Sequence, residues 1–231
     1  MKYKTIIVVI PCLNEEKTVG VCIDKCRQVF SKLNITGEIL VVDNGSVDKT
    51  SKIAEENNAD VTICLQKGYG HALRHGFEHA DCDYIIMGDA DNTYDFLEIP
   101  LLLDKLDDSV DMVIGSRFKG CIQAGAMPFL NRYIGTPFLT FVLNFLFGTN
   151  LTDSQCGLRL IRKSALEKIN FKTTGMEFAT EMLVEFAKHN FKIVEVPISL
   201  HKGINGRKPH LRPWRDGFRI LSYMIRERIN Y

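Results

Sequence analysis

The sequence predicts an α/β fold with a mostly parallel sheet flanked by helices. Three observations predict it. Short apolar runs alternate with amphipathic stretches along the first half of the chain. The runs are apolar at nearly every position, as strands buried on both faces must be. Polar and acidic residues follow directly after the runs, at the carboxyl ends of strands where open α/β sheets place their ligands.

The elements follow in order. Thr5–Ile10, "TIIVVI", reads as the first strand and Thr18–Leu33 as a helix. Glu38–Asp43 is the second strand, with a helix from about Asp48 to Asn57. Asp60–Leu65 and Gly70–Ala80 form the next strand and helix, then Asp83–Gly88 and Phe96–Leu106, then the strand Asp111–Ser116. Strand and helix in strict alternation imply parallel pairing through crossovers.

After Ser116 the regularity breaks. Arg117–Met127 reads as a loop and Pro128–Phe147 as one long apolar helix. Cys156–Arg162 is a strand candidate, with helices near Ser164–Ile169 and Phe178–Asn190. Lys192–Leu200 is a strand whose Pro197 suits a sheet edge. A basic loop, "KGINGRKPHLRP", leads into a last helix, Trp214–Ile229. We expect one domain over residues 1–210 and an amphipathic C-terminal helix over 211–231.

Composition narrows the function. The chain has 231 residues, 45% of them hydrophobic, enough for one sizeable core. A formal charge of +1 lacks the bulk basic character of a nucleic-acid binder, so no nucleic-acid partner is expected. Seven scattered cysteines without a CxxC pair fit reduced thiols better than a zinc site. The apolar run Ile134–Gly148 contains Pro137 and Asn144 and falls short of the ~20 residues needed to span a bilayer.

The chemistry gathers at the strand ends: "PCLNEE" after the first, "VDNGSVDKT" after the second, "GDADNTYD" after the fourth and "GSRF" after the fifth. These deliver Asn14, Glu15, Asp43, Asp48, Asp89, Asp91 and Arg117 toward one rim. Each type also caps helices and builds turns. Asp89 and Asp91, two apart in an extended stretch, would share one side. Paired carboxylates repel unless a proton or cation joins them. Mg²⁺ is commonly held by one or two carboxylates plus substrate phosphates. The Gly-rich "KGYGHALRHG" reads as a tight turn into a helix, with Lys67 in reach of a phosphate.

Taken together, "PCLNEE", "VVDNGSVDKT", "GDAD", "GSRF", "TDSQCGLRLIRKSAL" and "GRKPHLRPWRDGFR" resemble the family 2 inverting glycosyltransferases of GT-A fold. Within these they resemble the polyprenyl- or dolichyl-phosphate hexosyltransferases, of which dolichol-phosphate mannose synthase is typical. The resemblance implies a Rossmann-like GT-A sheet and a nucleotide-sugar donor, GDP-mannose or a UDP-hexose. It implies that Pro11, Asn14 and Glu15 lie by the base and that Asp43 contacts base or ribose. Asp89 and Asp91 match a DxD-type motif that holds Mg²⁺ or Mn²⁺ on the donor diphosphate. Arg117 and Arg132 match residues that hold the acceptor phosphate, and Arg207 one that closes over the diphosphate. Asp153 falls where some relatives place a catalytic base; here it is either that or an orienting residue. The sequence departs from the pattern at Asn44, where a second aspartate is common, and in lacking a glutamine after Asp91, where Asn92 and Asp95 are possible substitutes.

The reaction implied is metal-dependent transfer of a hexosyl group to polyprenyl or dolichyl phosphate with inversion. The rivals are a hydroxyl acceptor on a saccharide or protein, and a non-catalytic nucleotide-sugar-binding module. In the last helix, Trp214, Phe218, Leu221 and Ile225 share one face and Arg215, Arg219 and Arg226 a neighbouring one. This suits either a helix on an anionic membrane or one docked on the domain. The expectation is a cytoplasmic enzyme, peripheral on the membrane surface.

Overall fold

The computed structural model describes residues 5–203 and 213–231. Seven strands form one sheet in the order β3-β2-β1-β4-β6-β5-β7. β1 (Ile6–Cys12) lies between β2 (Gly37–Asp43) and β4 (Tyr84–Met87), parallel to both, and β2 continues to β3 (Asp60–Ile63). The register sets Cys12 opposite Asp43, so the polar segments that follow β1 and β2 emerge side by side. β6 (Arg159–Arg162) runs antiparallel between β4 and β5 (Met112–Ile122). β7 (Ile193–Leu200) closes the edge parallel to β5, where the N–H that Pro197 lacks costs no pairing on the open side.

The helices cover both faces. On one, α1 (Val19–Leu33) packs with α2 (Thr50–Glu56) and with α4 (Ile99–Leu103). On the other, α3 (Tyr69–His79) packs on β1 and β2 and against α7 (Phe178–Lys188). The central strands Ile7–Ile10 and Ile85–Met87 are buried along their whole length. That is why their sequences carry no alternation.

Three elements differ from the sequence expectation. β5 does not stop at Ser116. It shifts register and pairs again, Cys121 with Ser199 and Ile122 with Leu200. Phe118–Cys121 is exposed, so it has none of the apolar patterning that marks a buried strand. The helix expected over 128–147 opens with a π-helical turn, Asn131–Gly135, before α5 (Thr136–Phe147). Pro137 has no N–H with which to continue the regular ladder. The helix after Asp95 is a 3-10 turn, Phe96–Glu98, followed by the short α4, which Pro100 begins.

Two further helices, α6 (Lys163–Leu166) and α8 (Pro213–Ile229), complete the fold. α8 is docked through Ile220, Tyr223 and Met224, each at most 3% exposed, against α5 and α7. Lys188 ties it further through Glu227, at 3.0 Å.

Candidate active site

A cavity of about 870 Å³ opens at the carboxyl ends of the strands. Pro11 and Glu15 come to its wall from the end of β1, Lys67 from the loop before α3, Asp89 and Asp91 from the end of β4, and Arg117 from β5. These segments all leave the sheet at the same end of its parallel strands, which is how residues more than a hundred apart in sequence share a wall.

Asp89 and Asp91 both face the cavity, though not as side chains on one extended strand. β4 ends at Met87, and Asp91 lies in a turn completed by Asn92 at φ 58°. Asp89 Oδ1 accepts from the Tyr69 hydroxyl at 3.1 Å. Burial, and then the Asp89 carboxylate, push the Tyr69 phenol well above its usual range, so it remains a donor. Asp91 Oδ1 accepts from the Thr93 amide at 2.9 Å and its hydroxyl at 2.6 Å. Asn92 and Asp95, the possible substitutes for a glutamine ligand, turn away: Lys25 Nζ donates to Asn92 Oδ1 and pairs with Asp95, each at 2.9 Å. A Cβ on Gly157 would lie 2.7 Å from Asp89 Oδ2, so a side chain there would push this carboxylate out of its present position.

Arg117 meets Asp153 in a bidentate pair. Its Nε donates to Oδ2 at 2.6 Å, its Nη2 to Oδ1 at 2.7 Å, and its backbone N–H to Oδ2 at 3.0 Å. Asp153 is fully buried and Arg117 is 9% exposed. Burial opposes the arginine's charge, but Tyr94 and Asp153 hold it protonated above even the ordinary arginine range. The carboxylate of Asp153 therefore faces a guanidinium, with no open side toward the cavity. Beneath this pair Arg159, fully buried, donates to the carbonyls of Cys156, Ala179 and Ser154, pinning the loop that carries Asp153. Burial pushes the neighbouring Cys156 thiol up to about 12, which removes it as a nucleophile.

The remaining sequence candidates divide. Glu15 is buried and accepts from Thr18 Oγ1 at 3.0 Å. Asn14 and Asp43 do not line the cavity. Asn14 Oδ1 accepts from the Val47 amide, joining the loop after β1 to that after β2. Asp43 is buried, its carboxylate taken by the amides of Gly45 and Ser46 and the Ser51 hydroxyl. Asp48 accepts from the Thr50 amide at the start of α2, a structural task. Arg132 sits in the π-helical turn, its guanidinium over the Tyr133 ring at 5.5 Å and outside the cavity lining. Arg207 lies outside the described residues.

Several residues of the site carried no sequence signal strong enough to single them out. Asn44 lines the cavity and bridges β2 to α3: its amide donates to Cys64 O and Gln66 O, and its Oδ1 accepts from the Gly68 amide. Its one available clue is the departure from Asp-Asp, which follows from its need for both donors and an acceptor. Gly68 sits at φ 140°, and a Cβ there would meet Thr174 O at 2.3 Å. Glu177 accepts from Arg219 Nη2 at 2.6 Å, bringing α8 to the cavity wall.

The cavity continues from the acidic pair into an apolar arm. Leu130, Ile134, Phe138 and Leu139 form one side, and Trp214, Phe218 and Leu221 of α8 the other. Beyond this arm α5 is inverted. Thr136 and Thr140 are buried, with Thr140 hydrogen-bonded to Ser154, while Phe141 and Phe145 are 65% and 77% exposed. On α8, the apolar face seen in the sequence is the outward one: Trp214, Phe218 and Ile225 are 80%, 72% and 47% exposed, and Ile229, further along, is 79% exposed.

Comparison with known proteins agrees with this architecture. The model for glycosyl transferase family 2 matches residues 7–170. The chain is 40% identical over 222 residues to the low-salt glycan biosynthesis hexosyltransferase Agl6 of Haloferax volcanii, covering 96% of this chain but only 53% of that protein. It is 31% identical over 221 residues to the dolichyl-phosphate hexose transferase of the same organism, covering 95% and 92%. Among solved structures, glucosyl-3-phosphoglycerate synthase from Mycobacterium tuberculosis, in complex with Mn²⁺, UDP and phosphoglyceric acid, superposes with a TM-score of 0.76 at 20% identity, covering 97% of this chain and 78% of that one. The same synthase has been crystallised with Mg²⁺ and UDP. The fold is GT-A, and the chain belongs to glycosyltransferase family 2.

Proposed function

We propose that this enzyme transfers a hexosyl group from a nucleotide sugar to polyprenyl or dolichyl phosphate, with inversion, at a membrane surface. One observation carries the reading: a single cavity joins a pair of carboxylates and a buried arginine to an apolar arm between two helices whose outer faces are aromatic. A nucleotide sugar has no use for the arm. A prenyl phosphate fits both ends. The dolichyl-phosphate hexose transferase among the relatives supports this acceptor.

Asp89 and Asp91 would hold a divalent cation, Mg²⁺ or Mn²⁺. The donor atoms are hard oxygens, and among the described residues no group of three acidic, histidine or cysteine side chains forms a closed cage. Two carboxylates suit a cation that arrives with the donor's phosphates. When bound, it neutralises charge on the departing nucleoside diphosphate. Tyr69 keeps Asp89 turned to the cavity. Arg117, fixed by Asp153, offers its remaining donors to an anionic oxygen without having to reorganise. The acceptor phosphate is largely ionised near neutral pH, with a second pKa of about 6, so its attack on the anomeric carbon needs no general base. In this reading Asp153 holds Arg117 and takes no proton.

The exposed aromatics of α5 and α8 support the membrane assignment. So large an apolar surface is disfavoured in water, and Arg226 and Arg228 flank it on α8 as an anionic leaflet would require. None of the described helices is long and apolar enough to cross a bilayer.

The test is release of nucleoside diphosphate from GDP-mannose, UDP-glucose, UDP-galactose and UDP-N-acetylglucosamine, with Mg²⁺ or Mn²⁺, with and without a short prenyl phosphate. Release with one donor, dependent on metal and lipid phosphate and lost in Asp91→Ala, is expected. Equal release with a saccharide hydroxyl acceptor and no response to prenyl phosphate would overturn the reading.

A further inference from the structure

We propose that Arg219 binds the acceptor's phosphate group and that Glu177 holds it in place for that task. The inference rests on the lipid-phosphate reading above and adds a residue to it.

Arg219 lies on α8, one helical turn after Arg215 and next to Phe218. It lines the cavity together with the Thr174–Met176 segment and with Trp214, Phe218 and Leu221 of the apolar arm, and is a cation on that stretch of α8 that an anionic group beside the arm would meet. An amphiphile with an anionic head and an apolar tail would set its head beside such a cation. The side chain is 44% exposed, so it is open to a ligand, yet it is not free to wander. Nη2 donates to Glu177 Oε1 at 2.6 Å, and Glu177 is 7% exposed. Glu177 Oε2 is buried with no hydrogen-bond partner among the described residues, so this carboxylate is committed to Arg219. Gly175 keeps the space clear: a Cβ there would lie 2.7 Å from Glu177 Oε2 and 3.1 Å from Arg219 Nη2. A guanidinium has five N–H donors, so one bond to Glu177 leaves a fork for phosphate oxygens. Arg117 differs, because both Nε and Nη2 are already engaged by Asp153.

Trp214, the chain's single tryptophan, lines the same arm and reports on its occupancy. Its fluorescence would be titrated with farnesyl phosphate and with farnesol, and UDP and GDP binding measured by calorimetry. Arg219→Gln should raise the Kd for farnesyl phosphate about ten- to a hundredfold, as loss of charge-assisted hydrogen bonds does. Farnesol, UDP and GDP should be unaffected. The double variant Glu177→Gln/Arg219→Gln leaves a neutral amide pair and no orphaned carboxylate, and should show the same loss. Recovery in the double variant would mean that unpaired Glu177 merely repelled the ligand, and overturns the proposal. So does a loss of UDP or GDP affinity in place of farnesyl phosphate affinity, since the phosphate would then be the donor's. Unchanged farnesyl phosphate binding in Arg219→Gln overturns this proposal alone. Absence of farnesyl phosphate binding by the wild type overturns the lipid-phosphate reading with it.

Discussion

Replacing Asp153 by asparagine separates a residue that holds an arginine from one that takes a proton. In the structure each carboxylate oxygen is an acceptor: Oδ2 for Nε and the backbone N–H of Arg117, Oδ1 for its Nη2 and the amide of Gln155. Asparagine turns one of these acceptors into an NH₂ group facing donors. It also leaves the Arg117 charge buried without its partner. Breaking a buried ion pair from one side costs about 3–5 kcal/mol. For a domain of this size, each kcal/mol is worth roughly 2–4 °C in Tm, so Asp153→Asn should melt roughly 6–20 °C below the wild type. Thermal unfolding followed by circular dichroism measures this. The double variant Asp153→Leu/Arg117→Met, which removes both charges, should recover most of the loss. A base acting on a hydroxyl acceptor would behave in the opposite way: Asp153→Asn would abolish turnover and leave Tm within about 2 °C, well under the range set by a buried pair. That outcome would refute the reasoning and revive the hydroxyl acceptor.

Two other outcomes follow from the geometry. Asn44→Asp sets a carboxylate against the carbonyls of Cys64 and Gln66, which now accept from its amide; urea unfolding should show a loss of about 1–3 kcal/mol, the cost of unsatisfied buried polar groups. Phe141 is 65% exposed on the outer face of α5; with a phenylalanine presenting roughly 200 Å² and apolar burial worth ~25 cal/mol per Å², seating it in lipid contributes at most about 3 kcal/mol. Phe141→Ser should therefore weaken binding to anionic vesicles in a flotation assay by about tenfold or more, with Tm unchanged; vesicle binding equal to the wild type would argue against the membrane face.

Much was legible in the sequence because its signals are local. Runs such as Val8–Ile10 and Ile85–Met87 can be stable only when covered on both faces, so composition alone assigned them to a central parallel sheet. The rule that ligands gather at carboxyl strand ends then pointed Glu15, Asp89, Asp91 and Arg117, of the seven residues it gathered, to the wall where the cavity lies. The exposed half of β5 was illegible for the converse reason: without burial it carries no apolar pattern. Tertiary structure alone decided which acidic residues face the cavity. Asp43, Asp48 and Asp95 are as acidic as Asp89 and Asp91, yet turn amides, a helix start and Lys25 claim them. It alone decided that Asp153 meets Arg117, across 36 residues, and that Arg219 reaches Glu177, across 42. And it alone turned α5 so that threonines point inward and phenylalanines outward. A helix apolar nearly all round does not encode which face the core will take; the hydrogen bonds between Thr140 and Ser154, available only once the loop after α5 has closed, help to fix that orientation.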